Sequence, residues 1–239
     1  MKKNMSVLLS LISILFALSA TAEGNFIPVP TVEEAPLRLF GGIDSNVGFD
    51  SFRLNHLQGA GSVVYGVGSG LDVGFALHGG VINNSGLFMT GNAAKGLVGA
   101  DVMLRFLGNI TDMFFMGLQA TVGYSNDMTF ADLKLASSIP TAVGLAMGLS
   151  LADVVQLYVF PQFNFGGKTA AEQKPDDIKN AVVWGSQIGM SAAIGAWVNM
   201  GGTNLVIEAR PEWASVQDLG NFKSDNFSTN VLVGLAWDL

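Results

Sequence analysis

From Asn180 to Ile207 the chain runs 28 residues without a charge, and from Leu135 to Ala152 it runs 18. Either length approaches the ~20 apolar residues that a membrane-spanning helix needs. Both stretches also carry a Gly-x-x-x-Gly spacing, at Gly144/Gly148 and Gly185/Gly189, which pairs helices in membranes. The period excludes helices. In the first stretch Val143, Leu145, Met147, Leu149 and Leu151 alternate with Ala142, Gly144, Ala146, Gly148 and Ser150. In the second, Trp184, Ile188, Met190, Ile194 and Val198 share one register, and Gly185, Gln187, Gly189, Ser191 and Gly195 share the other. Large apolar residues alternating with small or polar ones make a strand with two unlike faces. A lipid-facing helix would be apolar all round.

The same alternation recurs along the chain and predicts strands over 36–45, 58–67, 70–82, 95–107, 113–125, 139–151, 154–165, 182–198, 203–213 and 226–239. Their connections alternate too. Short ones fall near 68–69, 108–112, 152–153 and 199–203, and longer polar ones at 45–57, 83–95, 125–138, 166–181 and 214–226. Strands of ~10 residues with one apolar face, joined by short turns at one end and long loops at the other, are the signature of a transmembrane β-barrel. The fold expected is all-β: a single antiparallel up-and-down barrel of ten strands, with eight strands and an N-terminal plug as the alternative. Hydrocarbon offers no water to backbone amides, so the strands must close on themselves.

Composition agrees. Apolar residues make up 49 % and charged residues only 13 %, too few charges to cover a soluble β-sandwich. A formal charge of −7 is the wrong sign for a nucleic-acid partner. No cysteine is present, so disulfides, thiolate metal sites and a lipid-anchoring cysteine are excluded. At the N-terminus, Lys2 and Lys3, the apolar run Val7–Leu18 and the small-residue exit Ala20-Thr21-Ala22 read as a secretory signal. The organisation expected is therefore a cleaved signal over 1–22, a proline-containing periplasmic lead-in over 23–35 and a barrel over 36–239.

In this pattern the chain resembles the small bacterial outer-membrane β-barrels, of which the OmpA transmembrane domain and OmpW are members. The most specific element is the C-terminus, where Gly234, Trp237 and Leu239 match the Gly-x-x-apolar-x-apolar ending. The family more often ends in Phe and has a polar residue where Leu232 stands. The resemblance implies that this ending is an assembly signal read by the outer-membrane assembly machinery, with periplasmic chaperones as earlier partners. It also implies a Gram-negative outer membrane as location and its lipids and lipopolysaccharide as surroundings. A monomer is the expected state.

The outward register carries two aromatic belts. Tyr124, Phe163, Phe165, Trp184, Trp213 and Phe227 lie at outer strand ends, and Phe106, Phe114 and Trp237 at periplasmic ends. The inward register carries Asp72, Asp101, Arg105, Gln119, Gln156, Glu208, Arg210 and Glu212 as candidate lumen-lining residues. Charges there must pair or be hydrated. They read either as a channel lining or as a salt-bridge plug. Many inward positions are Gly, Ala or Ser, which leaves space for water, although Tyr158, Phe160 and Trp197 also point inward. Of the two histidines, His56 and His78, neither stands at a diagnostic catalytic spacing, even with Asp50 and Ser51 close to His56. Glu172, Lys174, Asp176, Asp177 and Lys179 read as a solvated loop rather than a cation site. No catalytic residue, metal or cofactor is expected. The function expected is a small passive, porin-like channel or a structural surface protein without enzymatic activity. The alternative is a lipid-modifying enzyme or an adhesin acting through its outer loops.

Overall fold

The computed structural model of the protein describes residues 37–48, 53–82, 95–128, 135–152, 154–172, 181–218 and 223–239. The signal, the lead-in and the 174–179 cluster lie outside these residues. The strands are β1 (Leu37–Gly48), β2 (Arg53–Gly68), β3 (Leu71–Ile82), β4 (Lys95–Asn109), β5 (Phe114–Met128), β6 (Leu135–Leu151), β7 (Val155–Glu172), β8 (Ala181–Asn199), β9 (Asn204–Asp218) and β10 (Lys223–Asp238). Each pairs antiparallel with its chain neighbours, and β1 pairs with β10 from Arg38↔Asp238 to Gly48↔Ser228, closing the barrel. Leu239 N–H donates to the Leu37 carbonyl at 2.8 Å and finishes the seam. Closure removes both sheet edges. β1 and β2 are full members of the wall, so the eight-strand alternative with a plug is overturned.

Burial follows the pleat. On β4, Val98, Val102, Leu104 and Phe106 are exposed outward while Asp101, Met103, Arg105 and Leu107 are buried inward. The same alternation runs around the barrel, so the exterior is apolar and the interior mixed. This inversion of the soluble pattern is what a hydrocarbon surround requires.

The short-turn ends agree with the sequence reading to within a residue or two, and the other ends run further than it predicts. β7 continues to Glu172, β9 to Asp218, and the first long connection shrinks from 45–57 to 49–52. Past the hydrocarbon both faces of a strand meet water, so pairing continues while apolar alternation is no longer imposed.

At the short-turn end, Gly68 (φ 111°), Ser69 (φ 53°) and Gly70 (φ 79°) reverse the chain between β2 and β3. A Cβ on Gly70 would lie 2.2 Å from the Leu107 carbonyl oxygen. Glycine is required there both for its positive φ and for that close approach.

Three prolines interrupt the wall. The β5–β6 register skips from Val122↔Thr141 to Ser125↔Ser138 beside Pro140. The β6–β7 register skips from Gly144↔Gln162 to Met147↔Val159 beside Pro161. The β8–β9 register skips from Ser191↔Glu212 to Ile194↔Ala209 beside Pro211. Proline has no N–H to give to the ladder, and each break falls where one would be needed.

Candidate functional site: the barrel interior

Near the short-turn end the interior is filled by side chains. Phe40 (β1), Phe115 (β5), Tyr158 (β7), Trp197 (β8), Val206 (β9), Leu232 and Ala236 (β10) form one buried cluster. Leu107, Ala146, Phe160 and Ala193 form a second, and Val64, Ala76 and Met103 a third. Together they draw on all ten strands, β3 and β6 supplying only an alanine each.

Glycines make this packing dense. A Cβ on Gly195 would lie 2.2 Å from Tyr158 Cζ, one on Gly144 2.4 Å from Phe160 Cε2, one on Gly148 2.2 Å from Phe115 Cζ, and one on Gly234 2.4 Å from Phe40 Cε2. Each ring lies flat across a bare neighbouring strand. The small inward residues that suggest space for water are sockets for aromatic rings. Tyr158, Phe160 and Trp197 are legible as inward-facing in the sequence. Phe40 and Phe115 are not, because the alternation around them is blurred by Phe114 and Leu39 on the opposite face.

The polar interior groups fall into paired sets. Arg105 donates through Nε (2.9 Å) and Nη2 (2.7 Å) to Asp72 Oδ2, both side chains being buried. Arg210 Nη2 pairs with Glu208 Oε1 at 2.5 Å, and Tyr158 Oη donates to Glu208 Oε2 at 2.7 Å. Arg210 is also within electrostatic reach of Asp44, which accepts from Gln58 Nε2. Asn46 Nδ2 donates to Asn230 Oδ1 (2.6 Å) and Ser228 Oγ (3.0 Å). Gln162 Nε2 and Asn164 Nδ2 both donate to Ser191 Oγ, at 2.8 and 3.0 Å. His78 Nδ1 lies 3.1 Å from Asp101 Oδ2.

Of the residues singled out as lumen candidates, Asp72, Asp101, Arg105, Gln119, Glu208 and Arg210 are buried inside. Glu212 is half-buried. Gln156 is half-buried at the short-turn mouth, where it lines a cavity of about 130 Å³ with Arg38, Val154, Trp197, Asn199, Asn204 and Asp238. There the Arg38 guanidinium sits 4.7 Å from the Trp197 ring centroid and donates to Asp238 across the closing seam. This pairing is not legible in the sequence, since 200 residues separate the partners.

Among the belt residues, Phe106, Tyr124, Phe163, Phe165, Trp213 and Phe227 are exposed outward, and Phe114 and Trp237 are half-buried. Pairing lines up Phe163, Met190, Trp213 and Phe227 across β7 to β10. The side chain of Trp184, like that of His56, lies outside the described residues. Gly234 is buried against Phe40, and Leu239 is exposed. Among the described residues no group of three or more His, Asp or Glu is placed to hold a metal ion.

A closed antiparallel barrel with an apolar exterior and a paired polar interior defines the outer-membrane β-barrel class. The chain is similar to the outer-membrane protease OmpT from Escherichia coli, at 11 % identity over 92 % of this chain and 100 % of that one, with a TM-score of 0.48. It is also similar to Neisserial surface protein A (9 %; 85 % and 96 % covered; TM-score 0.41) and to Ail, the attachment invasion locus protein of Yersinia pestis (11 %; 85 % and 98 %; 0.35). No protein-family model matches the chain, and no curated protein does.

Proposed function

We propose that the protein is an outer-membrane barrel of the Gram-negative envelope with a sealed interior, and that its working surface is its outer end rather than a conduction path. The observation that carries this reading is the packing across the lumen. Arg105, Phe115, Phe160, Met103, Leu107, Gln58, Gln119, Glu208 and Val206 are all essentially without solvent contact. Side chains from opposite walls meet, and the buried charges face partners at hydrogen-bond distance. Of the two functions expected from sequence, the structural surface protein is favoured over the passive channel. Strands that run on past the apolar alternation, to Glu172 on β7 and Asp218 on β9, support a role in surface presentation.

Fractionation of envelopes tests location: the mature chain, starting at Glu23, belongs in the outer membrane and shifts between unheated and boiled gel samples. Liposome swelling tests the seal. Barrels reconstituted to full heat-modifiability are expected to admit no small sugar, and swelling above that of empty liposomes would refute the reading.

A further inference from the structure

Turns that face water are built from Gly, Asn, Asp and Ser, and the tips of the short turns follow that rule at Ser69, Asp112 and Gly201-Gly202. The residues leading into them do not. The five strands that run toward this end are β2, β4, β6, β8 and β10. Their outward register closes on Val67, Ile110, Leu151, Met200 and Leu239. All five are exposed, Leu151 at 43 % and the others at 54–58 %. Ile110, Met200 and Leu239 stand one residue past their strands, yet pairing still holds them. Ile110 N–H donates to the Phe114 carbonyl at 2.8 Å, Met200 N–H to the Thr203 carbonyl at 2.9 Å, and Leu239 N–H to the Leu37 carbonyl at 2.8 Å. The pleat that turns Phe106, Val198 and Trp237 outward therefore turns these three outward as well.

The placement of the five says what covers them. They come from every second strand of a closed barrel, so they form a ring and not a patch. A protein partner or a second copy would cover one side, whereas a membrane touches every side. Depth agrees. Val67 and Leu239 stand two residues past the aromatic Tyr65 and Trp237. Two residues of a strand tilted by ~40° descend about 5 Å. The headgroup layer on each side of the hydrocarbon is about that thick, and apolar faces of surface helices sink about 5–10 Å into its boundary with the acyl chains. The opposite end makes the reverse choice. Past Trp213 and Phe227 the same register reads Ser215, Gln217, Asp225 and Lys223.

We propose that Val67, Ile110, Leu151, Met200 and Leu239 form a lipid-contact ring that seats the short turns in the phospholipid headgroup layer, its side chains packed on the upper acyl chains. The proposal rests on the outer-membrane reading above and adds to it the depth at which the barrel sits. Val154 supplies the contrast. It belongs to the same end and is 55 % exposed, but it stands on the inward side with Gln156 and lines the cavity at the mouth.

The chain has no cysteine, so introduced cysteines report singly. Ile110→Cys and Met200→Cys, each labelled with an environment-sensitive fluorophore, are folded into phosphatidylcholine vesicles whose acyl chains carry bromine either near the headgroup or near the chain end. Val154→Cys and Val102→Cys, an outward residue in the middle of β4 with 55 % exposure, are treated alike. Unheated gel mobility restricts each comparison to folded protein. Both ring labels are expected to be quenched several-fold more than the Val154 label, and more by shallow bromine than by deep bromine. The Val102 label should show the reverse depth preference. If bromine quenches the Val102 label but quenches the ring labels no more than the Val154 label, the ring proposal is overturned and the membrane reading stands. If the Val102 label is not quenched either, both fall.

Discussion

Replacing Arg105 by alanine tests how dry the interior is. The guanidinium is fully buried and gives two hydrogen bonds to a carboxylate that is itself only 1 % exposed. Without it, Asp72 is an uncompensated charge among the buried Met103, Ala76 and Val64. Breaking a buried pair by removing one partner costs about 3–5 kcal/mol, several times the 0–1 kcal/mol of an exposed pair. The loss is dominated by the stranded carboxylate. Removing both charges, as in Asp72→Leu with Arg105→Met, should therefore return most of it, since replacing a buried pair by apolar residues is often neutral or stabilising. The assay is urea titration of barrels folded in vesicles, read by unheated gel mobility and by fluorescence of the four tryptophans. A cost below about 1 kcal/mol for Arg105→Ala would mean that water already solvates Asp72, the signature of an open lumen. A double variant as unstable as the single one would refute the stranded-charge reasoning.

The remaining predictions follow from the same packing. Gly195→Val drives a side chain into the space of the Tyr158 ring and should destabilise the barrel by about 1–3 kcal/mol in the same titration. Tyr158→Phe removes one charged hydrogen bond to Glu208 and should cost about 1.5–3 kcal/mol, with the heat-modifiable band retained. Deleting Trp237–Leu239 removes the Arg38↔Asp238 and Leu39↔Trp237 pairs of the closing seam along with its lipid-facing anchor. It should abolish the heat-modifiable fraction in outer membranes, and insertion at wild-type levels would show that the seam closes without them.

The wall was readable in the sequence because lipid outside and packing inside impose opposite demands on successive residues. Val98 to Phe106 and Phe227 to Leu239 carry that demand with few exceptions, Met103 and Leu232 being apolar on the inward face and Thr229 polar in the outward register. The outer extensions of β7 and β9 are not readable, since residues 166–172 and 214–218 carry no apolar alternation. The state of the lumen was not readable either. Gly144, Gly148 and Gly195 look like space until the register places Phe160, Phe115 and Tyr158 over them. The nearness of His78 and Asp101 depends on the β3–β4 ladder and on the bare Gly99 that leaves room for the imidazole, and no spacing along the chain encodes it. Asp238 is tied to Arg38 across the seam, a pairing that no spacing along the chain encodes.

Conductance across a planar bilayer tests the sealed interior most directly. Folded protein, inserted and verified by its unheated mobility, is expected to give no discrete steps at any moderate voltage, because rings and paired charges fill the section from Phe40 to Phe160. Regular, reproducible steps from wild-type barrels would contradict the account and restore the passive channel.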